Sequence, residues 1–271
     1  MRRILHFVRL YFSFAWISVK SEMAHRASFL TGVVGQWLAY GGTFLTLYVL
    51  IQNFGALGGW SGNEVLFLYA FNLLAYALAA SVFFIPTRSL GKKMVSGEFD
   101  ASLTKPTSPL LQEILMGYNF GYIGHMILST SVLVYAMSRL GISFSVGRLF
   151  LTILMLAGAA LAQGAVLLAG AALSFWVLGR STLANLLFSA MRNATRYPIT
   201  IYGALIQFLL TFVLPGAFMN FYPSLAALGR AGLSPFWGVL PYLSPAVGLL
   251  MLVFAVTLWN RGLRRYQSAG S

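Results

Sequence analysis

The chain has 271 residues, 59% of them hydrophobic and 8% charged, with a mean hydropathy of +0.79. Soluble domains carry roughly 25% charged residues, so water cannot solvate most of this surface and a soluble globular domain is excluded. The net charge of +13 is spread in short basic clusters between apolar blocks, which argues against nucleic acid, and the lack of cysteine excludes disulfides and thiolate metal sites.

In chain order, residues 2–24 come first. Arg2, His6, Arg9, Ser13 and Lys20 share one stripe of a helical wheel, with Leu5, Val8, Phe12, Ala15 and Val19 mostly opposite and Ile17 interrupting. The pattern predicts an amphipathic helix in the headgroup layer; a basic topogenic leader is the alternative. No short apolar run with a cleavage site follows, so no removable signal peptide is expected.

A membrane-spanning helix needs about 20 apolar residues. Six stretches meet that test: Phe29–Ile51, Glu64–Pro86, Leu115–Met137, Leu149–Leu178, Ile199–Asn220 and Val239–Asn260. Pro215 is expected to kink or end the fifth. Between the second and third, residues 87–113 form a long polar loop holding Glu98 and Asp100, two of five acids in the chain. Arg180 to Tyr197 reads as a further amphipathic helix with Ser181 as its N-cap. Residues 221–240 are too short and interrupted for another crossing. They predict a short outer-side helix or a partial re-entrant element, whose backbone must be buried by protein or water.

With the N-terminus inside, fifteen of the eighteen Lys and Arg residues fall on the inner side, among them Arg88, Lys92, Lys93, Lys105, Arg196, Arg261, Arg264 and Arg265. Only Arg139, Arg148 and Arg230 fall outside. This asymmetry supports six spans with both termini in the cytoplasm.

The spans carry few polar groups: Asn72, His125, Gln163 and Gln207. No carboxylate lies at membrane depth to serve as a cation or proton relay; Glu64 sits at an outer edge. His125 reads either as a substrate contact or protonation switch, or as a neutral imidazole bonded to a neighbouring helix. The amides read first as interhelical hydrogen-bonding groups. Small residues recur in the fourth span, Gly158–Ala162 and Ala160–Gly164 at spacings of four, and permit close helix approach. No phosphate-binding loop, Gly-x-Ser-x-Gly or His-Glu-x-x-His motif is present. The body is that of a pore or carrier without its own engine.

Several local motifs carry a resemblance. They are Gly97-Glu98-Phe99-Asp100-x-x-Leu103-x-x-Pro106, Arg196-Tyr197-Pro198, Pro215 followed by Tyr222-Pro223, and Trp259-x-x-Gly262-Leu-Arg-Arg-Tyr266-x-Ser268. In order and spacing the chain resembles permease subunits of ABC-2-type ATP-binding cassette transporters, which are type V exporter-like. Among these it is similar to a bacterial group first described as of unknown function, DUF990. The resemblance implies an all-α polytopic permease of 1–271 in a bacterial inner membrane. It implies a separate cytoplasmic ATPase dimer, which alone uses ATP and Mg²⁺, and a second permease chain, related or identical. It also implies that Gly97 through Leu103, with Pro106 beyond, form a coupling helix docking on the ATPase. Phe99 would then be the apolar plug, and Glu98 and Asp100 would face basic groups. An ordinary solvated loop, whose acids balance Lys92, Lys93 and Lys105, is the alternative. Pro215, Tyr222 and Pro223 would belong to an outer gate. The competing functional reading is a self-sufficient secondary carrier or channel for small amphiphilic solutes.

Overall fold

The computed structural model describes residues 26–54, 56–57, 59–142, 145–177, 189, 191 and 193–267. The expected interfacial helix at 2–24 and most of the Arg180–Tyr197 segment lie outside the described residues. The fold is built on helices, with one two-residue antiparallel ladder pairing Ala56 with Ser61 and Leu57 with Trp60. In order these are α1 (Arg26–Phe54), β1 (Ala56–Leu57), β2 (Trp60–Ser61), α2 (Gly62–Val95), α3 (Asp100–Leu103), α4 (Pro109–Met116), α5 (Ile123–Arg139), α6 (Val146–Leu173), α7 (Ala204–Phe208), α8 (Phe221–Leu228) and α9 (Ser244–Leu263). Among the described residues, three helical stretches are long and apolar enough to cross a membrane: Gly62–Val95, Val146–Leu173 and Leu240–Leu263.

The helix ends follow local chemistry. Glu64 accepts from the Ser61 amide at 2.8 Å and the Ser61 hydroxyl at 2.9 Å, a carboxylate reaching back to the residue that precedes α2. The helix then runs past Pro86, beyond the expected boundary, into what the sequence reads as loop. α4 starts at Pro109 after an Ser108 cap that accepts from the Leu111 amide. The third apolar stretch breaks at Gly117, leaving the continuous helix to begin at Ile123. A Cβ at Gly117 would stand 2.6 Å from the Glu113 carbonyl and 2.7 Å from the Pro86 ring.

The buried apolar residues form two main bodies. One holds Phe67, Phe71, Leu133, Met155, Ala159, Phe218 and Phe221; the other holds Leu90, Met94, Phe99, Ala165, Phe175, Ala255 and Trp259. The second body lies beside Lys92, Lys93, Arg261, Arg264 and Arg265 and marks the basic end of the molecule. α6 and α9 pack along each other through glycine. A Cβ on Gly158 would meet the Ser244–Pro245 backbone at 2.6–2.8 Å, and one on Gly248 would collide with the Gly158 carbonyl. The small-residue spacing in α6 thus serves packing inside the chain.

The fifth expected span is overturned. Ile199–Asn220 is not one helix: a 3₁₀ turn at Ile199–Ile201 leads to α7, then a π turn at Leu209–Val213 and a second 3₁₀ turn at Gly216–Met219. Its first residues lie at the end opposite the basic one, where the Trp60 indole donates to the Thr200 hydroxyl at 3.0 Å. From there the chain descends to Val213–Pro215, which line one cavity with Ala169 and Gly170 of α6. It returns through Gly216–Met219 and α8 to Arg230, which pairs with Glu64 at 2.6 Å. The physical cause is at the tip: the Leu214 amide reaches back to the Leu209 carbonyl at 2.8 Å, and Pro215 then has no N–H with which to continue. Apolar content alone reads this hairpin as a crossing. The returning limb is buried from Gly216 to Ala227, as backbone at membrane depth requires.

Candidate coupling site and translocation path

At the basic end, α2 stops because Gly97 adopts a left-handed backbone, φ 74°, open to glycine at no steric cost. The turn closes with the Phe99 amide donating to the Lys93 carbonyl at 3.1 Å and the Asp100 amide to Gly97 at 3.1 Å. Phe99 is thereby turned inward and fully buried. Its ring meets Phe175 at 5.8 Å and Tyr266 at 5.2 Å, both edge-on, and Phe175 meets Trp259 at 5.1 Å. In this conformation Phe99 is an internal anchor and not an outward plug. Asp100 does not project freely either, since the Tyr266 hydroxyl donates to its Oδ1 at 2.9 Å. Burial first, and the Asp100 carboxylate second, push the Tyr266 phenol up to about 12. Glu98, Leu103 and Pro106 remain exposed, together with Val95.

The loop behind this turn is folded, not merely solvated. Gln112 Nε2 donates to the Ser102 carbonyl at 2.9 Å and the Thr107 carbonyl at 2.8 Å, and Lys93 pairs with buried Glu113 at 3.0 Å. The aromatic cluster therefore ties this turn to the ends of three long helices: α2 through Leu90 and Met94, α6 through Phe175, and α9 through Trp259 and Tyr266.

Deeper in the molecule, Gln163 Nε2 donates to Asn72 Oδ1 at 3.0 Å and also lies 3.2 Å from the Asn72 carbonyl and 3.3 Å from that of Met219. These two predicted polar residues meet, joining α2, α6 and the returning limb. His125 lies elsewhere. It is buried between the Tyr40 ring at 4.3 Å and the Tyr122 ring at 5.1 Å, and among the described residues neither ring nitrogen has a hydrogen-bond partner. Aromatic faces surround it, and no interhelical hydrogen bond joins it to the described residues. Gln207 bonds within its own hairpin, donating to the Tyr202 carbonyl at 2.7 Å.

On the hairpin, Pro215 lines an apolar cavity of about 500 Å³ between α6, the tip and α9, with Val166, Met251 and Phe254. Tyr222 and Pro223 are buried on the returning limb, where the Tyr222 and Thr211 hydroxyls lie 3.0 Å apart. Asn220, read from sequence only as the end of a span, is fully buried and donates to the Thr195 carbonyl at 2.8 Å.

The family model for ABC-2 family transporter proteins matches residues 37–270, nearly the whole chain. The chain belongs to the ABC-2 transporter family. The ABC-2 protein is thus the membrane component of a transporter, and its long apolar helices are those of a multi-pass membrane protein. Comparison with curated proteins and with solved structures gives no match.

Sequence reasoning misplaced one residue of this ABC-2 chain. Arg196, assigned to the inner basic cluster, leaves it: the half-buried side chain lines a crevice with Tyr40, Tyr69, Asn72, Leu73, Tyr76 and Gln163. The charge asymmetry survives without it. Its signal in the sequence was the adjacent apolar stretch, whose start the hairpin moves to the far end.

Proposed function

We propose that the chain is one half of the translocation path of an ATP-driven exporter, with both termini in the cytoplasm and six crossings, the fifth made between Val177 at the basic end and Thr200 at the opposite end, paired with a second permease chain. A separate ATPase dimer binds and hydrolyses ATP with Mg²⁺ and docks on the turn around Gly97–Pro106. The observation that best supports this reading is the aromatic cluster: a force applied to the Glu98–Leu103 surface is delivered through Phe99 to α2, α6 and α9 together. A gate driven from 1:99 to 99:1 needs about 5.5 kcal/mol of differential binding, and a rigid connection to three helices is a means of transmitting it. The hairpin of Pro215, Tyr222 and Pro223 then moves as the outer gate.

The buried position of Phe99 dictates the test. Phe99→Ala removes a packed ring and costs about 3–5 kcal/mol of stability, so it reports folding and not docking. Glu98→Lys with Leu103→Asp alters only the exposed face. The double variant is expected to keep its thermal unfolding midpoint yet lose co-purification with the ATPase and ATP-dependent transport. Undiminished transport would reject the docking surface, and transport by the chain without any ATPase would favour a secondary carrier.

A further inference from the structure

Arg196 shares its crevice with Asn72 and Gln163. Asn72 lies ten residues into α2, about 15 Å along the axis at 1.5 Å per residue, half of a hydrocarbon core of about 30 Å. A guanidinium at that depth is costly and is retained where it meets a counter-charge or a ligand.

No acid of the described chain supplies the counter-charge. Glu64 pairs with Arg230, Glu113 pairs with Lys93, Asp100 accepts from Tyr266, and Glu98 is exposed on the basic-end turn. Glu22 lies outside the described residues. No hydrogen bond or ion pair joins the Arg196 side chain to any described residue. The neighbouring groups suit an anion: Asn72 accepts from Gln163 through its oxygen, which leaves its NH₂ as a donor, and tyrosines form the walls. The space they line is about 30 Å³ and open on one side, room for a group about the size of a water molecule. That fits an oxyanion tip, with the rest of the molecule remaining in the apolar surroundings.

We propose that Arg196 and Asn72 bind the anionic end, carboxylate or phosphate, of an amphiphile at the middle of the membrane. The role of this site in transport rests on the permease reading; binding does not, and is measured without an ATPase. The purified chain in phosphatidylcholine nanodiscs is expected to bind radiolabelled laurate at one equivalent, displaced by dodecyl phosphate and not by dodecyl maltoside. Arg196→Gln weakens this at least about tenfold, the loss of one charge-assisted hydrogen bond. Arg196→Lys retains most of it, and exposed Arg264→Gln changes nothing. Equal binding by Arg196→Gln, or equal displacement by dodecyl maltoside, overturns the site.

Should Arg196→Gln fail to fold, photolabelling of the unaltered chain by a diazirine-bearing alkyl phosphate decides. Label within residues 69–76 or at Arg196 supports the site, and label confined to the outward residues Leu249 and Leu250 overturns it. An anionic phospholipid retained through delipidation, seen by native mass spectrometry and lost in Arg196→Gln, identifies the occupant as a resident headgroup. An empty but laurate-binding chain identifies an exchangeable cargo.

Discussion

Tyr266 and Phe99 divide the labour of the basic-end turn between a hydrogen bond and a packed ring. The phenol of Tyr266 is raised because burial and the Asp100 carboxylate both disfavour phenolate. A group whose folded-state pKa is raised contributes stability that is fully present below its unfolded value near 10 and is lost as pH rises towards about 12. The thermal midpoint of the chain is therefore expected to fall across that alkaline window, and Tyr266→Phe should flatten the fall while lowering stability at neutral pH. An unchanged alkaline profile in Tyr266→Phe would show that another group carries it. Phe99 was legible in sequence as an apolar residue in a polar loop, but its direction was not. Periodicity cannot say which way a residue after a left-handed glycine points, because the reversal at Gly97 is a backbone event.

The elements were readable to different degrees. α2, α6 and α9 declare themselves by length and apolar content, although α2 continues nine residues past Pro86. Their mutual distance is set by single atoms: Gly248 lies so close to the Gly158 carbonyl that any side chain must push the helices apart. Gly248→Val is expected to cost about 1–3 kcal/mol or more, measured as a lowered midpoint in thermal unfolding, whereas Leu249→Val on the exposed face should be near neutral. The Ile199–Asn220 hairpin was misread as a span because hydropathy counts apolar residues without asking where they turn. A π turn followed by proline reverses direction within a stretch as apolar as any crossing.

For the whole molecule, the decisive measurement is the side on which each segment lies. The chain has no cysteine, so single cysteines report position without background. Cysteines at Ser108 and Gln267 are expected to react with an impermeant maleimide from one face, and cysteines at Gly232 and Thr200 from the other. Thr200 is the discriminating position, since a helical span over Ile199–Asn220 places it with Ser108. Labelling of Thr200 and Ser108 from the same face would restore the uninterrupted span and remove Arg196 from the membrane interior.

Composition and the spacing of charge determined by themselves that lipid is the solvent and that most basic residues gather towards one side of the spans, because these depend only on transfer free energy summed along the chain. Only the tertiary structure decided that Phe99 faces inward, that Asn72 and Gln163 meet while His125 stands among rings, and that Arg196 shares a crevice with Asn72 and Gln163. Each of these depends on which segments are brought together across many residues of chain, and no local pattern encodes that juxtaposition.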